Sequence, residues 1–289
     1  DAKKLKDGDR AVEIIARAIE QKKKIRVVGD YDIDGVCASY ILVTGLHRIG
    51  AQVDCDIPDR IKDGYGINAQ IIEKAAADGI ALIITCDNGI AAFEAMEYAH
   101  QMGIDVIITD HHEVFKEEGK DRLPLAKAII NPKQADCTYP FDGICGAVVA
   151  WKLVELFYRF FDVSYEEWKL LLSVAAIATV GDVMQLKDEN RIIVRYGLRA
   201  LEKTKNLGLR ALLQVCELEN KELTVYHIGF IIGPCLNASG RLKTAKLALE
   251  LLMSKDMETA KQRAMELKRL NDERKDMTQQ GVDQAIEIV

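Results

Sequence analysis

The sequence predicts an α/β protein: a mostly parallel sheet flanked by helices, continued by an α-helical C-terminal extension with a long connecting helix. Three observations carry this. Short β-branched runs alternate with helical patterns through the first half of the chain, the order that builds parallel sheets. Strand signals largely disappear from Gly143 onward. The stretch from Asp256 to about Gln280 has helical periodicity and mixed, nearly balanced charge, so it reads as a connecting helix and not as a basic arm.

Taken in order, the strand-like runs are Ile25 to Gly29, Gln52 to Ile57, Ala81 to Cys86, Ile104 to Thr109 and Ala126 to Ile130. After the first of them, VCASYILVTGLHRIG places small and apolar residues at helical spacing and is too long for a return strand. In the second half VVAWKLVELFYRFF, YEEWKLLLSVAAIATV and NRIIVRYGLRALEKT each read as a helix. The division is set near residue 190, with 1–190 as the α/β domain and 191–289 as the helical extension.

Composition narrows the class. A chain of 289 residues, 49% hydrophobic, has ample material for a packed core. Its longest apolar run, Leu170 to Val180, is too short for the ~18 residues of a membrane helix, and no signal peptide is visible. Seven cysteines, at positions 37, 55, 86, 137, 145, 216 and 235, form no CxxC pair and fall mostly in apolar segments. That pattern fits reduced thiols in the cytoplasm and argues against a disulfide framework or a zinc knuckle. A net charge of −6 argues against a surface that is one polyanion-binding field, but not against a local site; two divalent cations would leave −2.

The chemistry begins at GDYDIDG, residues 29–35. An EF-hand loop starting at Asp30 would need a bidentate glutamate at its twelfth position, where this chain has Ile41. A hairpin turning at Asp34-Gly35 is excluded by the helical stretch that follows. What remains is strand, acidic loop, helix, and the same arrangement recurs: VVGDYDID, IITCDNG and VIITDHH each set an apolar strand before an acidic loop. Parallel strands point their carboxyl ends to one edge. Asp30, Asp32, Asp34, Asp87, Asp110, His111 and His112 therefore converge. So many carboxylates remain ionised together only if cations compensate them. Oxygen donors with one or two imidazoles suit Mn2+ or Mg2+, and the number of acids points to two ions. Each piece alone also has a plain reading. Asp87-Asn-Gly is a common turn, Asp110 or Asp182 a common helix cap, and His47, His100 and His227 are taken as structural. Gly181 would let the chain turn sharply at Asp182.

The Asp-x-Asp loop, the strand-end Asp-x-Gly and Asp110-His111-His112 together resemble the DHH phosphoesterase superfamily. GDYDIDG, PDRIKDGYG, ATVGDVMQL and GPCLNASGRL narrow the resemblance to its bacterial exonuclease branch, over roughly residues 25 to 275. The resemblance implies a 5′ to 3′ exonuclease on single-stranded DNA that uses two Mn2+ or Mg2+ ions. It further implies a role in recombination and repair, beside a helicase and a single-strand-binding protein, and a monomeric state. Carried over by position, Asp32, Asp34, Asp87, His111 and Asp182 would be metal ligands, with Asp87 bridging. Asp110 would support the site and His112 would face the substrate phosphate. Some superfamily members have a ligand histidine where this chain has Val28, so that Asp30 or water would serve instead. Arg60 and Arg241, in loops with glycine neighbours, are expected to contact phosphate, with Asn237 as polar partner and Tyr65 as a base-stacking residue. The chain ends on QAIEIV, and the resemblance implies a smaller domain beyond, so the sequence is expected to be a truncated catalytic core. Two other functions compete: a superfamily phosphodiesterase for short oligonucleotides or cyclic dinucleotides, and a non-catalytic replication scaffold.

Overall fold

The structure is a computed structural model and describes residues 1–58, 66–242 and 244–288. Its centre is a five-stranded, fully parallel sheet. After helix α1 (Gly8–Glu20) come β1 (Lys24–Val28), α2 (Ile33–Arg48), β2 (Gln52–Asp56), α3 (Ala69–Ala77), β3 (Ile80–Cys86), α4 (Phe93–Gln101) and β4 (Asp105–Thr109). Two-residue strands β5 (Lys116–Glu117) and β6 (Lys120–Asp121) make a separate hairpin, and β7 (Ala128–Ile130) completes the sheet in the order β2-β1-β3-β4-β7. The strands lie where the β-branched runs place them. The sequence gives no warning of the hairpin, which turns on Glu118 and Gly119, both at positive φ.

The strand order positions the site. From β1 the chain crosses through α2 to β2 on one side, then through α3 to β3 on the other side of β1. The direction of winding thus reverses between β1 and β3, and such a switch point opens a crevice at the carboxyl ends of the strands. Register keeps those ends level: Val28 pairs with Thr85, Cys86 with Thr109 and Thr109 with Ile130. Both faces are covered, as a parallel sheet requires. Ile71, Ile72, Met96 and Ala99 of α3 and α4 cover one face, and α1, α2 and α5 (Gly146–Phe160) the other.

The second half is helical: α6 (Tyr165–Lys169), α7 (Leu172–Gly181), α8 (Asp188–Glu202), α9 (Leu207–Val215), a short α10 (Val225–His227), a π-helical turn at Ile228–Ile232, α11 (Gly233–Leu242), α12 (Lys246–Leu252) and the long α13 (Met257–Ile288). The single helix expected over 165–180 is two. Trp151 and Trp168 stack at 3.9 Å, and each indole N–H donates to the other's carbonyl, at 3.2 and 2.9 Å. That lock fixes α6 against α5 and breaks the helical run at Leu170–Leu171. The connecting helix is present as α13, with Asp256 accepting from the Thr259 amide at 2.8 Å. All seven cysteines are free thiols, and among the described residues no helix is long and apolar enough to cross a membrane.

Candidate metal centre

The first acidic segment is held by its own backbone. Asp32 is the N-cap of α2, its Oδ1 accepting from the amides of Asp34 at 2.9 Å and Gly35 at 3.0 Å. Helix α2 therefore starts inside the motif, and Asp34 lies in its first turn and not in a loop. Gly35 is required by a close approach, since a Cβ there would stand 2.4 Å from the Asp30 carbonyl oxygen. Asp34 is fully buried and accepts from the amides of Gly146 at 2.6 Å and Ala147 at 2.8 Å, the first residues of α5. Its carboxylate thus sits on a helix N-terminus, where backbone dipoles favour negative charge.

The second segment turns sharply after β3. Asp87 adopts the left-handed conformation, at φ 59°, and is buried. Asn88 ties the strand ends together by donating to the carbonyls of Val28 at 3.1 Å and Cys86 at 2.9 Å. In the third segment Asp110 is a hub. Its Oδ2 accepts from the Ile90 amide at 2.9 Å, and its Oδ1 from the His111 amide at 2.7 Å, the His112 amide at 3.1 Å and the His112 ring at 2.7 Å. No helix follows Asp110, so it is not a helix cap. Asp182 is the C-cap of α7. The sharp conformation expected at Gly181 falls instead on Val183, at φ 56°. Gly181 serves a close contact: a Cβ there would lie 2.7 Å from the Ile33 side chain.

These segments meet. His111 Nε2 stands 3.1 Å from Asp87 Oδ1, 3.5 Å from Asp34 Oδ2 and 3.8 Å from Asp182 Oδ2. Three sets of donors, Asp87–His111–His112, Asp34–His111–Asp182 and Asp30–Asp32–Asp87, each have ligand atoms within 4.8 Å of one another. His111 and Asp87 each belong to two sets.

The electrostatics ask for cations. Burial, reinforced by Asp32, pushes Asp30 up to about 7. Burial likewise holds Asp34 at about 6 and Asp182 at about 6, and holds Asp87 well above the usual carboxylate range. Asp110 is the exception: burial opposes its ionisation, but the His112 ring and the amides outweigh it and lower its pKa. Burial lowers His111, keeping the imidazole neutral and able to ligate, whereas its bond to Asp110 raises His112. Asp30 Oδ1 and His111 Nδ1 are buried without a hydrogen-bond partner among the described residues. Hard carboxylate oxygens with a neutral imidazole, crowded and under-neutralised, are a donor set for Mn2+ or Mg2+.

A family model described as "DHH family, N-terminal domain" matches residues 24–181. The chain belongs to the DHH family. This DHH chain is 42% identical over 289 residues to the single-stranded-DNA-specific exonuclease RecJ of Bacillus subtilis (strain 168), covering all of itself and 35% of that protein. It is 36% identical over 282 residues to RecJ of Escherichia coli (strain K12), covering 94% of itself and 48% of the relative. It therefore spans about a third to a half of these curated relatives. A crystal structure of exonuclease RecJ bound to manganese superposes with a TM-score of 0.88 at 30% identity, covering 97% of this chain and 69% of that one.

Of the residues singled out from sequence, the DHH fold brings Asp30, Asp32, Asp34, Asp87, Asp110, His111, His112 and Asp182 into one cluster. Arg241, expected in a loop, lies within helix α11, as does Asn237. The glycine beside them does permit close approach, since a Cβ on Gly240 would stand 2.4 Å from the Tyr31 carbonyl oxygen. Arg60 and Tyr65 lie outside the described residues, as does the Arg241 side chain. Of the histidines taken as structural, His227 belongs to a capping box with Thr224. Sequence reasoning missed the amides of Gly146 and Ala147 and the strand-tying Asn88. A glycine opening a strongly helical run, as in CGAVVAW, was the available signal for the first.

Proposed function

We propose that this chain is the catalytic core of a 5′ to 3′ exonuclease that hydrolyses phosphodiester bonds of single-stranded DNA with two divalent cations, Mn2+ or Mg2+. The observation that carries the reading is the meeting of Asp34, Asp87, His111 and Asp182 at the switch-point crevice, in a chain 42% identical to a single-stranded-DNA-specific exonuclease. Asp32, Asp34, Asp87, His111 and Asp182 would hold the ions, Asp87 from between them, with Asp30 in place of the histidine that Val28 replaces. Bound there, divalent cations supply a lowered water pKa and charge stabilisation on phosphorus. The chain's own groups do the positioning. Asp34 is fixed by two α5 amides, and Asp110 holds the His112 ring through Nδ1, leaving Nε2 to face a phosphate oxygen. Asn237, Arg241 and Arg60 are assigned to the strand, and Tyr65 to a base.

In this reading residues 1–190 are the catalytic domain and 191–289 the helical extension. The protein works in the cytoplasm in recombination and repair, beside a helicase and a single-strand-binding protein. The test is release of nucleotides from a 5′-labelled single strand with Mn2+, for the wild-type chain, Asp87→Ala and a duplex control. Stepwise mononucleotide release, lost in Asp87→Ala and absent on duplex, is the expected result. Cleavage of a dinucleotide but not of the long strand would replace the reading with a small-substrate phosphodiesterase.

A further inference from the structure

The acidic centre attracts phosphate only through its cations, and the chain as a whole carries −6, so a strand needs a cationic surface elsewhere to lead it in. Helix α8 offers one. Arg191, Arg195 and Arg199 recur at every fourth position, are exposed, and form no ion pair with any described residue. Residues four apart share a helix face, about 6 Å apart along the axis, a spacing comparable with successive phosphates of an extended strand. Ile192 and Tyr196, 59% and 53% exposed, lie between the arginines, and the Arg199 guanidinium stands 5.9 Å from the centre of the Tyr196 ring. Two acids of the helix are engaged elsewhere: Glu189 with Lys152 at 2.5 Å and with the Tyr139 hydroxyl, and Glu202 with the Leu223 amide at 2.9 Å.

The stripe also starts in the right place. Asn190, one residue before Arg191, donates to the carbonyls of Gln185 at 3.1 Å and Gly143 at 2.7 Å. The first of these lies three residues after Asp182, and the second three residues before the amide that binds Asp34. Further along α8, Gly197 packs on Ala176 and the Leu172 carbonyl, near the opposite end of α7. The arginines therefore run back along α7, away from the acidic centre, over about 12 Å.

We propose that this face of α8 is a track for the phosphate backbone of single-stranded DNA, leading the strand to the metal centre; the proposal rests on the exonuclease reading above. An acidic protein segment is disfavoured because the cations are interleaved with a ring that offers a stacking face, and because the stripe begins at the end of α8 nearer the acidic centre.

The test is fluorescence anisotropy of a labelled oligothymidylate of about 30 nucleotides, in EDTA so that the strand stays intact, across a salt series. Wild type is compared with the triple variant Arg191→Ala/Arg195→Ala/Arg199→Ala and with the triple Arg→Lys variant, their folding checked by circular dichroism. The alanine variant is expected to bind about tenfold more weakly at low salt, with the slope of log K against log salt reduced by about 2, while the lysine variant keeps the slope. An unchanged affinity and slope, or no binding by wild type, overturns the proposal. So does tighter wild-type binding to polyglutamate that the alanine substitutions abolish, which would assign the face to an acidic partner. Nucleotide release separates the two readings. Release with unchanged binding sinks the track alone, whereas binding lost in the alanine variant without any release sinks the exonuclease reading and leaves the track.

Discussion

Replacing Asp30 by asparagine is expected to stabilise the cation-free protein, and by an amount that depends on pH. The carboxyl is 1% exposed, and its pKa is raised from 3.8 to about 7, first by burial and then by the charge of Asp32. A carboxyl that is harder to ionise in the folded state lets the native chain hold a proton that the unfolded chain has lost. Stability therefore falls as pH rises from about 4 to about 7, and the loss is complete above the folded pKa. A gap of about three units at 1.36 kcal/mol each makes the cost about 4 kcal/mol at pH 8 and under about 2 kcal/mol at pH 5. Asparagine has the same shape and does not ionise, and its amide can donate to neighbouring carboxylates, so it removes that cost. The assay is urea denaturation of wild type and Asp30→Asn in EDTA at pH 5 and pH 8. The expected gain is about 2 to 4 kcal/mol at pH 8, and smaller at pH 5. A variant no more stable than wild type at pH 8, or a difference that ignores pH, would refute the argument that uncompensated burial dominates this site.

Three further outcomes follow from the same geometry. Mn2+ is expected to raise the thermal midpoint of the wild-type chain more at pH 8 than at pH 5, because protons on Asp30, Asp34 and Asp182 must leave before a cation binds; differential scanning fluorimetry reads this directly. Asp110→Asn removes the charge that holds His112, so the His112 pKa should fall in an NMR titration and nucleotide release should drop about 10- to 100-fold. Gly146→Ala would put a methyl group 2.7 Å from the Asp87 Cβ and 2.8 Å from its Oδ1. It should cost about 1–3 kcal/mol of stability and weaken Mn2+ binding measured by calorimetry, whereas Gly50→Ala, whose Cβ would meet no atom within 4 Å and whose cost is local backbone strain at φ 83°, should leave Mn2+ binding intact.

Much of the site was legible because its signal is local. An apolar run followed at once by an acid needs only the period of a strand to be read, and three such runs in a parallel sheet must open on one edge. Arg60 and Tyr65 fall outside the described residues, and the placement of Arg241 shows where local reading fails. The ASG glycine beside Arg241 suggests a loop, yet the segment is helix α11, and Gly240 serves a close approach to the Tyr31 carbonyl of the first acidic segment. Tertiary contact overrode propensity.

Period and residue chemistry, which belong to the chain alone, were enough to place the five strands of the main sheet, their common direction and the identity of the acids. Packing settled the rest: Asp34 rests on the amides of α5, Asp182 arrives from the end of α7, and α8 carries an exposed arginine face. Those relations join residues up to 112 positions apart, and they exist because α5 and α7 bury their apolar faces against α2. No local pattern records which helix end will meet which strand end.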